Sequence, residues 1–300
     1  MGLVIGIDLG GTSIKSGVFD PNGKRLQSIT LQTPKPATPE AVLSTMLEGI
    51  NSLIKQNDRI LALGVGTPGP VDAAGRVAKV AINLEGWDNV PLAEWLENRT
   101  GIPTILANDA NCAGLGEAWL GAGRDFQNLI LLTLGTGVGG AIILDGKLFV
   151  GHQGAAGELG LITLNPNGPL CNSGNQGSLE QYTSIGAISR RTGKDPAILG
   201  KLAQQGDIQS LTFWQEYGKD LGIGLTSLIY VLTPQAIIIG GGISASFEYF
   251  LPAMQEEIET RVLPSSRIGL QILQAQLGNH AGMVGAAKLA WDKEQSLLAL

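Results

Sequence analysis

Ile5-Gly6-Ile7-Asp8-Leu9-Gly10-Gly11-Thr12-Ser13-Ile14-Lys15 is an apolar run that ends on a carboxylate, breaks at two glycines and resumes. This pattern predicts a strand over Leu3–Asp8, a tight turn, and a second strand over Ser13–Phe19. Asp20-Pro21-Asn22-Gly23 has turn composition, and Arg25–Gln32 alternates as a third strand. The same order returns over Leu131–Gly146: strand, Gly135-Thr136-Gly137, strand, Asp145, turn glycine. Such an echo implies two similar α/β halves facing a cleft.

Outside these hairpins, strands and helices alternate. Pro34, Pro36 and Pro39 read as a loop, and Glu40–Lys55 carries a helical period. Leu61–Val65 and Thr104–Ala107 read as strands, Leu92–Arg99 and Asn111–Leu120 as helices, with Asn108 or Asp109 near the N-cap of the latter. Leu129–Leu134, Val138–Leu144 and Lys147–Val150 are predicted strands. Helices follow near Ser178–Thr192, Pro196–Gln204 and Ile208–Leu232. Ala236–Ile239 is a strand, Phe247–Val262 a helix, Ile268–Ala275 a strand and Gly282–Asp292 a helix.

The composition excludes several function classes. The chain has 300 residues, 44% hydrophobic and 15% charged, and a net charge of −6. That balance argues against a nucleic-acid binder working through phosphate counterion release. Two cysteines, Cys112 and Cys171, do not make a disulfide framework. Glycines or Pro234 interrupt the most apolar stretches, so no membrane span is expected, and no targeting segment is visible. A cytoplasmic location is expected. With only His152 and His280, a histidine-rich metal site is excluded.

Two stretches satisfy G-x-G-x-x-G, at Gly135–Gly140 and Gly64–Gly69. A dinucleotide site needs a helix straight after the loop. Ala141–Leu144 continues as a hairpin after the first, and Pro68 and Pro70 bar a helix after the second. No Walker loop, nucleophile elbow or H-E-x-x-H is present.

Three glycine-bearing loops at strand ends can cradle phosphate instead. Asp8, Gly10, Gly11, Thr12 and Lys15 form the first, and Gly135, Thr136 and Gly137 the second. Gly240, Gly241 and Gly242 offer a flat backbone surface for a nucleoside. Asp8 is suited to a hydrated Mg²⁺ beside the phosphate.

Asp8 to Lys15 resembles the first phosphate motif of the actin, heat-shock ATPase and sugar kinase superfamily. The ordered set Gly66-Thr67-Pro68-Gly69-Pro70-Val71-Asp72, Asn108-Asp109-Ala110-Asn111, Gly135–Gly140, Gly157-Glu158-Leu159-Gly160 and Gly240–Ile243 resembles the ROK family (repressors, open reading frames, kinases), specifically its glucokinase-like sugar kinases. The resemblance spans roughly Ile5 to Ala287. It implies a duplicated ribonuclease-H-like fold, with a lobe of residues 1–114 joined by the helix 284–300 and a larger lobe of residues 115–283. It also implies ATP-dependent, Mg²⁺-assisted phosphorylation of a hexose, most simply the glucose 6-hydroxyl, in a homodimer without nucleic-acid or membrane partners.

In that reading Asp109 is the general base. Asn83, Asn108, Asp109, Glu158 and Glu180 contact the sugar. Fructokinase, N-acetylhexosamine kinase and polyphosphate as donor stay open, as does a non-catalytic sugar sensor. The family's repressors carry an N-terminal helix-turn-helix, for which Asp8 lies too close to Met1. The family pattern also implies a structural zinc held by one histidine and three cysteines. Here Leu161, Ser173 and Ser178 stand in three of those places and only Cys171 survives, so no zinc is expected.

Overall fold

The computed structural model describes residues 2–57, 59–81 and 84–298. In chain order the elements are β1 (Leu3–Leu9), β2 (Ser13–Phe19), β3 (Arg25–Gln32), α1 (Pro39–Ile54), β4 (Ile60–Thr67), β5 (Ala78–Val80), β6 (Asp88–Val90), α2 (Leu92–Thr100), β7 (Thr104–Asn108) and α3 (Asp109–Leu120). Then come β8 (Leu129–Leu134), β9 (Val138–Leu144), β10 (Lys147–Leu148), α4 (Glu180–Thr183), α5 (Ile185–Thr192), α6 (Pro196–Gln204), α7 (Ile208–Leu232), β11 (Ala236–Gly240), α8 (Phe247–Arg261), β12 (Gln271–Gln274) and α9 (Ala281–Leu298).

The two large sheets repeat one plan. Their orders are β3-β2-β1-β4-β7 and β10-β9-β8-β11-β12. In the first, β1 and β2 pair antiparallel, as do β2 and β3, while β4 and β7 add in parallel. In the second, β9 and β10 pair antiparallel, and β11 pairs in parallel with β8 and β12. The internal echo in the sequence is thus a repeated topology.

The chain divides into two compact units. The first comprises Met1–Asp125, Ala141–Gly157 and Asn279–Leu300, and the second Phe126–Gly140 and Glu158–Gly278. Residues 115–125 and 141–157 therefore group with the N-terminal unit.

One face of the first sheet is covered by α1, which buries Val42, Met46, Ile50 and Leu53. Pro39 belongs to this helix: it is the first residue, where proline needs no N–H partner, and the Thr38 hydroxyl caps the Ala41 N–H. On the other side α9 lies directly on the strand backbones. A Cβ on Gly6 of β1 would sit 2.2 Å from the Met283 carbonyl oxygen, and one on Gly64 of β4 would sit 1.8 Å from that of Ala286. Helix α3 crosses α9 as closely, since a Cβ on Gly285 would lie 1.6 Å from the Cys112 carbonyl oxygen. Glycine here is a packing requirement: it lets backbone meet backbone.

The second unit packs α7 against α8 around Trp214, Tyr217 and Phe250. Their rings meet at centroid distances of 5.2–6.0 Å. The predicted helix over Ser178–Thr192 is two helices. Ser184 is extended (φ −81°, ψ 166°) and caps α5 through Ala187 N–H, which ends α4 after one turn. The short β5–β6 ribbon has too few residues for a periodic signal.

Candidate active site

In the first unit the parallel strands β1, β4 and β7 end side by side. Asp8 is in register with Gly66 of β4 and, across the hairpin, with Lys15; Thr67 is in register with Asn108. Ligands of open α/β sheets bind outside such carboxyl ends. The loop after β1 is tightened by a Gly10 N–H to Ser13 carbonyl bond of 3.0 Å. Thr33, which carries no motif signal in the sequence, fastens the loop from behind: its hydroxyl donates to Gly10 O at 2.6 Å and its N–H to Thr12 O at 3.1 Å. No heavy atom would lie within 4 Å of a Cβ on Gly11, so that face is open to a ligand.

Asp109 opens α3. Asn108 is the cap: its Oδ1 accepts from Ala110 N–H at 2.9 Å and Asn111 N–H at 3.3 Å. Its Nδ2 donates to Gly69 O at 3.0 Å, tying the cap to the Gly66–Asp72 turn. Asp109 Oδ1 also accepts from Ala110 N–H, at 2.8 Å. Because the Asn108 amide fills the capping role, the fold does not require an acid beside it. Asn83, expected at the sugar, lies outside the described residues.

Both carboxylates are raised, and Asp8 also feels the charge of Asp109. Burial pushes Asp8 up to about 6; Lys15, 3.8 Å away, opposes this and Asp109 adds to it. Desolvation also raises Asp109, against hydrogen bonds from Ala110 and Asn108, although the residue as a whole is exposed. Lys15 is itself oriented by donating to Asn279 O at 3.0 Å, just ahead of α9. A Cβ on Gly282 would meet the Asp8 carboxylate at 2.9 Å, so the first turn of α9 backs this side chain.

The sign of the pH effect follows. Between its ordinary value of 3.8 and about 6, Asp8 is protonated in the folded chain and ionised in the unfolded one. The folded state then binds the extra proton, so stability falls as pH rises through that interval and levels above it. We expect the melting temperature in Mg²⁺-free buffer, taken as wild type minus Asp8→Asn, to decline from pH 4 to pH 6. A difference that is flat or rises would remove burial as the dominant influence on Asp8.

In the second unit, Gly240 is in register with Thr133 near the end of β8. Gly241 (φ +82°) lies against Leu134, where a Cβ would come within 2.3 Å of the carbonyl oxygen. The loops Gly135–Gly137 and Gly240–Gly242 are thus brought together, and Gly242 has nothing near its missing Cβ. Ser244 donates from Oγ to Gly241 O at 2.8 Å, and Gln274 Nε2 donates to Ser244 O at 2.6 Å. Glu180 sits beside the first of these loops: its Oε2 accepts from Val138 N–H at 2.9 Å. Ile185 N–H donates to Gly135 O at 2.8 Å, so the segment carrying Glu180 is docked on the glycine turn from both ends. Sequence reasoning places Glu180 but not this tie. Glu158 is exposed, immediately before a 3₁₀ turn over Leu159–Leu161.

The metals separate on donor chemistry. Mg²⁺ takes hard oxygen ligands, usually one or two carboxylates plus phosphate oxygens. Asp8 fits, as a mostly buried carboxylate whose charge burial and Asp109 both disfavour. Zinc does not fit: Cys171, Ser173, Ser178 and Leu161 supply one thiol, two hydroxyls and an alkyl chain. Burial raises the Cys171 thiol, but the hydroxyls of Ser173 and Ser178 outweigh it and hold the thiol below its ordinary value.

The comparisons with known proteins agree with one another. The ROK family model matches residues 4–293. A glucokinase of Streptomyces coelicolor is 36% identical over 98% of this chain and 99% of its own length. A crystal structure of a ROK family glucokinase from Streptomyces griseus, in complex with glucose and AMPPNP, is 35% identical with a TM-score of 0.79. That match covers 97% of this chain and 100% of the other. A ROK hexokinase from Thermus thermophilus superposes with a TM-score of 0.87 at 33% identity, over 98% and 99% of the two chains. Among the described residues no helix is long and apolar enough to cross a membrane.

Proposed function

The chain belongs to the ROK family, and from that membership we propose that it is a hexose kinase transferring the γ-phosphoryl group of ATP to the 6-hydroxyl of glucose. The support is full-length similarity to glucokinases, one of them holding glucose and an ATP analogue. The observation that carries the chemistry is the placement of two carboxylates, Asp8 at the end of β1 and Asp109 just after β7, on either side of β4 at the carboxyl end of one sheet.

Each residue then has a distinct role. Asp109 accepts the proton of the attacking hydroxyl. Partial desolvation of its carboxyl favours it as a base by raising its affinity for that proton. Asn108 caps α3, so holding Asp109 at its head, and is assigned to a sugar hydroxyl. Glu158, Glu180 and Asn83 are assigned to sugar hydroxyls, where a site built to pair each hydroxyl rejects analogues that lack one. Gly10–Thr12, Gly135–Gly137 and Gly240–Gly242 bind phosphate and nucleoside through backbone N–H groups. Asp8 would hold Mg²⁺, which supplies charge neutralisation on the phosphates. The resemblance alone carries the homodimer and the cytoplasmic location.

A coupled ADP-release assay with Mg²⁺-ATP tests the proposal against glucose, fructose, mannose, N-acetylglucosamine and N-acetylmannosamine. We expect glucose to give the highest kcat/KM. Preference for another sugar would reassign the substrate, with Leu161, in place of the family's histidine, as the first residue to examine. No turnover with any sugar, from ATP or polyphosphate, would overturn the kinase.

A further inference from the structure

The loop that cannot hold zinc is nevertheless held, and one side chain does most of the holding. Asn175 Nδ2 donates to the Leu161 carbonyl oxygen at 2.9 Å and to Thr163 Oγ1 at 3.1 Å. Its Oδ1 accepts from Gln176 N–H at 2.8 Å. Its backbone carbonyl accepts from Cys171 N–H at 2.8 Å, and Gly174 N–H donates back to Cys171 O at 3.1 Å. One asparagine therefore closes the turn 171–175 on itself and fastens it to the segment 161–163. Behind it the two stretches continue as a short ladder. Leu179 N–H donates to Ile162 O at 2.9 Å and Leu164 N–H to Gly177 O at 2.8 Å, with a bridge between Thr163 and Ser178.

The ends of this joined pair matter. Leu161 closes the turn that starts at Glu158, through a Leu161 N–H to Glu158 carbonyl bond of 3.0 Å. The strand carrying Ser178 leads directly into Glu180 and so to the Gly135–Gly137 loop. We propose that Asn175 is the pin that positions Glu158 relative to Glu180, doing by hydrogen bonds what a four-ligand metal cluster would otherwise do. Asn175 is a positioning residue, acting through the Leu161 carbonyl on the turn that carries Glu158. A side-chain amide is well matched to this position, because its NH₂ reaches two acceptors on one segment while its carbonyl takes a donor from its own loop. The role given to Glu158 rests on the sugar-kinase reading above; the pin itself does not.

Asn175→Ala and Asn175→Asp test this together, in the full chain. Asp is isosteric and keeps the acceptor for Gln176 but loses both donors and faces the Leu161 carbonyl with a charge. We expect both variants to speed hydrogen exchange in the peptide 158–165, leaving β1–β4 unchanged. We expect KM for glucose to rise about tenfold, the scale of two lost hydrogen bonds. KM for ATP should shift less than about twofold and kcat less than about threefold. A merely structural residue would lower the folded fraction without splitting the two KM values. Unchanged exchange at 158–165 would overturn the pin. Faster exchange with both KM values unchanged would overturn its link to Glu158. If the parent enzyme turns over no sugar, the kinase reading fails separately, and exchange still decides the pin.

Discussion

Asp109→Asn is expected to lower kcat on glucose by about 10³-fold, within the 10²–10⁴ range that a positioned general base contributes. Glucose affinity by calorimetry should change less than about threefold. The change is nearly isosteric, and the amide oxygen still accepts from Ala110 N–H, as Asp109 Oδ1 does now. The head of α3 stays intact because Asn108 is its cap. What is lost is the site that takes the proton. The substitution also removes a charge that raises Asp8. Asp8 should then titrate lower, a second readout independent of turnover. Asn108→Ala is the contrasting variant, costing about 1 kcal/mol as a lost cap. If Asp109→Asn kept more than a tenth of the parent's turnover, Asp109 would not be the base.

The largest effect on stability is expected from Gly285→Ala. Its Cβ would fall 1.6 Å from the Cys112 carbonyl oxygen, and that atom belongs to helix backbone, which cannot swing aside as a side chain can. Helices α3 and α9 must separate, and α9 is also pressed against β1 and β4 at Gly6 and Gly64. The cost is at least about 3 kcal/mol, beyond ordinary overpacking. That lowers the melting temperature of the first unit by roughly 6–12 °C. Activity should fall further than the folded fraction, since α9 backs Asp8 and α3 carries Asp109. Gly186→Ala, at a helix glycine whose Cβ would meet nothing closer than 3.9 Å, controls for alanine in a helix. A melting temperature unchanged by Gly285→Ala would mean that the α3–α9 crossing is looser than described.

Much of this is legible from local pattern. The bounds of β2, α6, α7 and β8 follow from apolar period and flanking breakers, because each is long or strongly patterned and capped in sequence. The duplicated hairpins are legible because a turn needs glycine at fixed places. The local geometry of the candidate site is legible where one motif sets a helix start, as in Asn108-Asp109-Ala110-Asn111, whose cap is Asn108. What is not legible depends on partners distant in sequence. The 43 glycines announce themselves by number, yet nothing local says that Gly6 and Gly64 exist to receive α9. Thr33 follows a strand like any other threonine, and only the fold brings it behind Gly10. Residues 178–192 read as one continuous helix because Ser184 acts as a cap only once α4 is docked on the glycine loop. Asn175 reads as loop composition because its acceptors are on another segment.

The first unit is discontinuous, and that has a consequence in time. When its first 125 residues have left the ribosome, the sheet β3-β2-β1-β4-β7 still lacks the helix that fills the glycine trough on its face. Over 150 residues must be translated before α9 arrives, roughly ten to thirty seconds at ordinary speeds of chain growth. Most of the second unit is made and able to compact in that interval, while the N-terminal strands wait with a bare backbone surface exposed. Asp8 gains the helix turn that backs it only in the closing moments of synthesis.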